Sequence, residues 1–282
     1  MQLPHFSAAD VERHLTPEVA IGALSEALER GFDPEQDPPR RFVSLEQGGD
    51  LIMMPSELGG HVAVKLVTVG GTPRVQGLVV LFDSATLAPA ALMDGIAMTN
   101  IRTSAVSALA VRALARPDAA RLLIFGRGPQ AAAHEAAVRA IRPIAHVDVV
   151  GRDAAGAPEL VAAADVICCC TTSPVPVFDG SLVRDDAVVV AIGAHDADAR
   201  ETDDALARRA TVVVESRQSA LRECGDVICA IESGALAADE LVPLAALVRG
   251  EVTVPAGPRL FKSSGMSWED AVMAGALARL AG

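Results

Sequence analysis

The spacing of hydrophobic and polar positions changes character near residue 120. Upstream, apolar residues first recur at helical spacing and then alternate. Ser7 and Asp10 have the spacing of a capping box, and Thr16 before Pro17 reads as an N-cap followed by proline at the first helical position. Ala20, Ala23, Leu24, Ala27 and Leu28 mark one face of the helix that follows, and Gly31 ends it. Strand-like runs come next at 41–46, 51–54, 61–69 and 77–83, separated by the pairs Gly48-Gly49, Gly59-Gly60 and Gly70-Gly71. They predict a small antiparallel sheet, with a long helix over 95–115 leading out of it.

From Arg121 onward the apolar runs are continuous and alternate with helical stretches. Strands are expected over 122–125, 147–150, 166–170, 188–192 and 212–214, as for a parallel sheet covered on both faces. Residues 151–164 leave room for one brief helix and no extra strand between the second and third. A final helix is expected over 268–280. The fold class is therefore α/β: a shortened, Rossmann-like doubly wound parallel sheet plus an α+β domain. The boundaries read as 1–115, completed by 255–282, for the α+β domain, and 116–254 for the parallel sheet.

The first of these strands runs into Gly126-Arg-Gly128-Pro-Gln-Ala131 and then a helix-compatible stretch. Strand, glycine-rich turn and helix in this order form a dinucleotide-binding pattern. Gly126 permits the turn, Gly128 allows the backbone to approach a pyrophosphate, and Ala131 lets the helix pack close. Pro129 and Gln130 open that helix, whose N-terminal N–H groups and dipole suit phosphates.

Composition narrows the field. Of the 282 residues, 51% are hydrophobic and 21% charged, which describes a globular chain. A net charge of −12 argues against nucleic acid or an anionic membrane as partner. The apolar runs stop short of the roughly 18 residues a membrane span needs. No basic segment precedes an apolar core at the N-terminus, so no secretory signal is expected, and the reading is cytoplasmic. Five cysteines are present, three of them consecutive at 168–170. Neighbours on a strand point to opposite faces, so these three cannot converge on a metal, and they read as small buried side chains in a reducing compartment.

Four places could carry chemistry. By alternation Lys65 shares one strand face with Ala63 and Val67. It is either an edge-strand lysine facing solvent or a desolvated amine with a lowered pKa, able to exchange protons near neutrality. Arg102 sits among the small residues Thr103, Ser104 and Ala105, open to a carboxylate grip or to a structural ion pair. Arg40 and Arg41 open a strand. His195 and Asp196 follow a parallel strand, where ligands of such sheets bind, which makes His195 a second candidate catalytic residue beside Lys65. At the end of the second strand Arg152 suits a 2′-phosphate, which favours NADP(H) with NAD(H) possible. Asp148 has the spacing of a ribose-binding acid but lies inside the strand.

Taken together, these pieces resemble the ornithine cyclodeaminase/mu-crystallin family. The matching segments are Arg40-Arg41, Met53-Met-Pro55, Val64-Lys65-Leu-Val67, Leu92-Met-Asp94-Gly95, Thr99-Asn-Ile-Arg102-Thr-Ser-Ala105, the glycine-rich turn, Ile192-Gly-Ala-His195 through Arg200-Glu201, Gly225-Asp226 and Phe261-Lys-Ser-Ser-Gly265. They follow the family's order from about residue 40 onward. The resemblance implies a homodimer whose first domain binds substrate and dimerises, with the dinucleotide domain inserted. It implies Lys65 as catalytic acid/base and Arg41 and Arg102 on the substrate carboxylate. Met54, Ser263 and Gly265 join them on the substrate side. Thr103, Thr171 and Thr172 join the glycine-rich turn on the cofactor side. The family's cyclodeaminases carry an aspartate where His195 stands, so the chain leans toward the reductases, which act on small cyclic imino acids such as 1-pyrroline-2-carboxylate. An NAD-containing cyclodeaminase, an alanine dehydrogenase and a non-catalytic mu-crystallin-like binding protein are the alternatives. With no tyrosine and one tryptophan, an aromatic-lined pocket is not expected, which favours a small aliphatic substrate.

Overall fold

The computed structural model describes residues 3–151, 158–194 and 196–281. The chain divides into two compact units, Met1–Val106 with Met266–Gly282, and Ser107–Gly265.

The first unit opens with β1 (His5–Phe6), α1 (Ala8–His14) and α2 (Pro17–Glu29). Ser7 and Asp10 close a capping box and Thr16 caps α2 before Pro17, as their spacing requires. Then come β2 (Arg41–Ser44), β3 (Asp50–Leu58), β4 (His61–Val69), β5 (Val75–Asp83) and β6 (Pro89–Asp94), followed by α3 (Gly95–Leu114). The sheet runs β1-β6-β5-β4-β3-β2, antiparallel from β2 to β6. β1 and β6 carry too few β-branched residues to stand out in the sequence. β1 pairs parallel with β6.

The second unit contains β7 (Arg121–Phe125), α4 (Pro129–Arg139), β8 (His146–Val150), α5 (Pro158–Ala163), β9 (Val166–Cys169), β10 (Val188–Ala191), α6 (Asp204–Ala207), β11 (Thr211–Val214), α7 (Arg217–Glu223), α8 (Gly225–Glu232), β12 (Val242–Pro243), α9 (Leu244–Val248) and β13 (Arg259–Lys262). Its sheet is parallel, in the order β12-β11-β13-β10-β9-β7-β8. Every residue of β9 and β10 is buried, which is why these strands read as continuous apolar runs. The chain steps from β7 out to β8 at the sheet edge and returns to β9 on the other side of β7. That reversal is a topological switch point, and the crevice beyond the strands' carboxyl ends there is where such sheets bind ligands. α5 is the only helix among the described residues between β8 and β9.

Both boundaries differ from the sequence reading: the first falls at Val106, within α3, and not at 115. Residues 255–262 were expected with the C-terminal helix, but β13 lies between β10 and β11 in the parallel sheet. Contacts therefore divide the chain at Gly265 instead of Val254. β13 is a short strand inserted between earlier ones, and no local periodicity reports sheet order.

The chain returns to the first unit as α10 (Ser267–Ala281). This helix is buried along 267–277 and packs against β3, β4 and α2.

Candidate active site

β4 is a central strand, flanked by β3 and β5. Alternation along it turns Ala63, Lys65 and Val67 to the covered face of the sheet, where all three are buried. Lys65 is thus a buried lysine and not an edge-strand one. Burial of an ammonium requires compensation, and α10 supplies it. Lys65 Nζ lies 2.8 Å from Asp270 Oδ2 and donates to Thr99 Oγ1 at 3.4 Å. One position earlier on α10, Glu269 Oε2 accepts from Arg102 Nη1 at 3.0 Å, and Arg102 Nε is 3.8 Å from Asp270 Oδ1. Two cations and two carboxylates, all buried, balance one another.

The amine is not held as a simple salt bridge. Burial pushes Lys65 down to about 8, the Arg102 charge adds to the fall, and Asp270 opposes it. The start of α10 is fixed by Asp37, which accepts from Trp268 N–H at 2.9 Å and from Ser56 Oγ at 2.6 Å. Burial pushes Asp37 up to about 6 against these two donors.

Met54 stands directly across the ladder from Lys65 and is buried, and Thr103 is buried on α3 beside Arg102. Arg41 is placed differently. It pairs with Met53, on the face of the sheet opposite Lys65, and it is exposed. The structure therefore brings Lys65, Arg102 and Met54 together but not Arg41. β2 pairs with a register that sequence alone does not specify, and a one-residue shift changes the face.

In the second unit the glycine-rich turn joins β7 to α4. Gly126 has φ +114°, and a Cβ there would lie 2.4 Å from the Cys170 carbonyl oxygen. Gly128 caps α4 without a side chain, and nothing lies within 4 Å of where its Cβ would be. Pro129 is the first residue of α4, Gln130 follows, and Ala131 is buried where the helix meets the sheet. This cradle fits a dinucleotide: an open approach at Gly128 beside helix N–H groups that no side chain caps.

Thr171 and Thr172 follow β9 at the same end of the sheet. Thr171 donates from N–H and Oγ1 to Glu201 Oε1, both at 2.7 Å, and Gly193 N–H donates to Glu201 Oε2 at 2.7 Å. A Cβ on Gly193 would fall 1.7 Å from the Thr171 carbonyl oxygen, so the loops after β9 and β10 are in direct contact. Asp226 accepts from the N–H groups of Glu201 and Thr202, and its Oδ2 is 2.9 Å from Lys262 Nζ, which also donates to the Ala194 carbonyl. Burial raises Glu201 to about 7, with Lys262 and Thr171 pulling the other way. Burial would lower Lys262, but Asp226 and other acidic neighbours outweigh it and hold the amine above the ordinary lysine range.

Ser263 and Gly265, expected on the substrate side, follow β13 in this unit. Gly265 N–H donates to Glu215 Oε2 and to Ser263 Oγ, each at 3.1 Å. His195 and Arg152 lie outside the described residues.

Asp37, Glu269 and Asp270, and the trio Glu201, Asp226 and Lys262, were not singled out as site residues. For Glu269, Asp270 and Lys262 a signal was present, the two acids opening a helix of small apolar residues and the lysine ending an apolar strand; Asp37 and Glu201 lie in polar stretches and carried none.

Fold and site define an α/β protein with an NAD-binding architecture, carrying a buried, charge-compensated lysine on a separate α+β unit. The chain belongs to the ornithine cyclodeaminase/mu-crystallin family, whose model matches residues 5–160 and 154–278. It is 33% identical over 294 residues to the Delta(1)-pyrroline-2-carboxylate/Delta(1)-piperideine-2-carboxylate reductase of Azospirillum brasilense, covering 95% of this chain and 93% of that one. It is equally 33% identical to the mouse ketimine reductase mu-crystallin over 305 residues, with 95% and 94% covered. Among solved structures, the Thermococcus litoralis Delta(1)-pyrroline-2-carboxylate reductase in complex with NADH and L-proline superposes with a TM-score of 0.90. It is 27% identical, with 99% of this chain and 97% of that chain covered.

Proposed function

We propose that this protein is an NAD(P)H-dependent reductase of small cyclic 2-imino acids, converting 1-pyrroline-2-carboxylate to proline or acting on a similar ketimine. The observation that carries this reading is the Lys65 amine, buried on a central strand and held near pKa 8 against Asp270. Such an amine is protonated at neutral pH yet gives up its proton easily. It is suited to donate a hydrogen bond or proton to an imine nitrogen, making the imine carbon a better hydride acceptor. Arg102, oriented by Glu269, supplies positive charge for the substrate carboxylate. Met54 packs the substrate side next to Lys65, and Ser263, Gly265 and His195 complete the expected set. Arg41 contributes only by reaching around the edge strand.

The cofactor is assigned to Gly126, Gly128, Pro129, Gln130, Thr171, Thr172, Thr103 and Arg152. When bound, the reduced nicotinamide supplies the hydride. Glu201 braces the Thr171 and Gly193 backbone, which keeps the strand-end loops in place. We favour NADP(H) over NAD(H).

We further propose a homodimer formed through the uncovered face of the first unit's sheet. Met53, Leu66 and Leu78 stand opposite one another there, as do Pro55, Val64, Val80 and Leu92. This apolar face is only half-buried, and Leu78 is 40% exposed. An apolar patch of this kind marks an association surface. No helix of the described residues is long and apolar enough to cross a membrane. Five unpaired cysteines accord with a cytoplasmic location.

The test is loss of NADPH absorbance with 1-pyrroline-2-carboxylate, run beside NADH. Turnover establishes the imine reductase. No turnover with either cofactor would remove this assignment.

A further inference from the structure

The carboxyl end of β8 holds a cation that the reading above does not use. Arg127 lies between the two glycines of the turn after β7 and is exposed. β7 and β8 are in register through Phe125 and Val150, and Gly126 N–H donates to the Val150 carbonyl at 2.9 Å. The turn therefore stands beside Gly151, the first residue past β8. A Cβ built on Gly151 would sit 3.6 Å from Arg127 Nε and 3.9 Å from Cζ. The guanidinium thus lies over the spot where a side chain at 151 would begin. Among the described residues Arg127 makes no ion pair or hydrogen bond, and β8 is the edge strand of the sheet.

In a dinucleotide fold the end of this second strand meets the adenosine ribose. An acid there takes the 2′-hydroxyl, and a nearby arginine accommodates a 2′-phosphate. At Gly151 there is no side chain to take the hydroxyl and no carboxylate to neutralise the arginine. An aspartate at 151 would place its carboxylate in contact with the guanidinium and compete with a phosphate for it. Arginine presents several N–H donors in a planar fork that matches phosphate oxygens. In a chain of net charge −12, a dianionic group needs such a local cation to be held.

We propose that Arg127 is a specificity-determining residue that binds the 2′-phosphate of NADP(H), and that Gly151 keeps its guanidinium available. The inference rests on the dinucleotide reading above and deepens it. It concerns only the nucleotide end of the cofactor, so it is testable without turnover.

The experiment is calorimetric titration of the full-length protein with NADP+, NAD+ and 2′,5′-ADP, for the wild type, Arg127→Ala and Gly151→Asp. Arg127 is exposed and Gly151 has no left-handed backbone, so neither change disturbs the fold. Arg127→Ala should weaken NADP+ and 2′,5′-ADP by about tenfold or more, the loss of a charge-assisted contact, and leave NAD+ within about twofold. Gly151→Asp should weaken the same two ligands and tighten NAD+. Equal weakening of both dinucleotides in Arg127→Ala would overturn the proposal, since the contact would then be to the shared pyrophosphate. Unchanged NADP+ affinity, or a wild type without preference for NADP+, would overturn it as well. A wild type that binds neither dinucleotide would remove the dinucleotide reading itself, and the role of Arg127 with it.

Discussion

Lys65 Nζ and Asp270 Oδ2 sit 2.8 Å apart, both fully buried, one on a central strand and the other on the last helix of the chain. Asp270 is the group that keeps the amine charged against burial and against Arg102. Because Lys65 is held near pKa 8, it is the proton donor below that pH and loses the proton above it. The reductive rate should therefore be flat at lower pH and fall as pH rises through about 8. Asp270→Asn should move that fall to lower pH, as the opposing charge is gone. Lys65→Ala should abolish turnover while dinucleotide binding persists. A pH–rate profile of the three proteins decides this, and normal turnover in Lys65→Ala would remove the lysine from the mechanism.

Arg102 and Arg41 were both expected on the substrate carboxylate, but only Arg102 shares the covered face with Lys65. Arg102→Lys keeps the charge and loses the fork held by Glu269. Its KM for the imino acid should rise by about tenfold, corresponding to roughly 1.4 kcal/mol. Arg41→Lys should raise KM much less. Steady-state kinetics of the two variants compare them directly, and a larger effect at Arg41 would contradict the face assignment.

In the second unit, His134 accepts and donates inside the protein: its ring nitrogens lie 2.7 Å from the Gln130 carbonyl and 2.9 Å from Ser107 Oγ. Burial pushes it down to about 4, against the Gln130 contact. An unfolded chain protonates this histidine near pH 6.5 and the folded one does not until near 4. Its contribution is thus present above pH 6.5 and is lost as pH falls toward 4, by roughly 3 kcal/mol in all. Urea unfolding of wild type and His134→Gln at pH 7 and pH 4.5 measures it. The variant should lose less stability between the two, and an identical loss would show that His134 is not the group responsible.

Lys262 is ion-paired with Asp226 and lies beside Glu201, and all three are buried. Lys262→Met leaves the buried Asp226 carboxylate without its ion-pair partner and should cost about 3–5 kcal/mol. Denaturant unfolding gives the figure. The Asp226→Asn, Lys262→Met double variant should recover part of it, because the pair is then removed together. A single-variant loss below about 1 kcal/mol would mean the trio is not held together by charge.

Much of the architecture could be read from local spacing. The alternation over His61–Val69 gave Lys65 its face, and the caps at Ser7 and Thr16 gave two helix starts. Continuous apolar runs marked β7, β9, β10 and β11, because strands covered on both faces leave no polar alternation. The turn at Gly126 was legible because Gly126 takes a positive φ beside the Cys170 carbonyl, where a side chain does not fit. Periodicity, capping and turn chemistry act between residues close in sequence, so the sequence by itself determined these elements and the family the chain belongs to. Only the tertiary structure decided that β13 enters between β10 and β11, that Arg41 faces away from Lys65, and that Asp270 and Lys262 balance buried partners far along the chain. Sheet order, strand register and the pairing of buried charges are relations between distant segments. They follow from which surfaces the whole chain can bury at once.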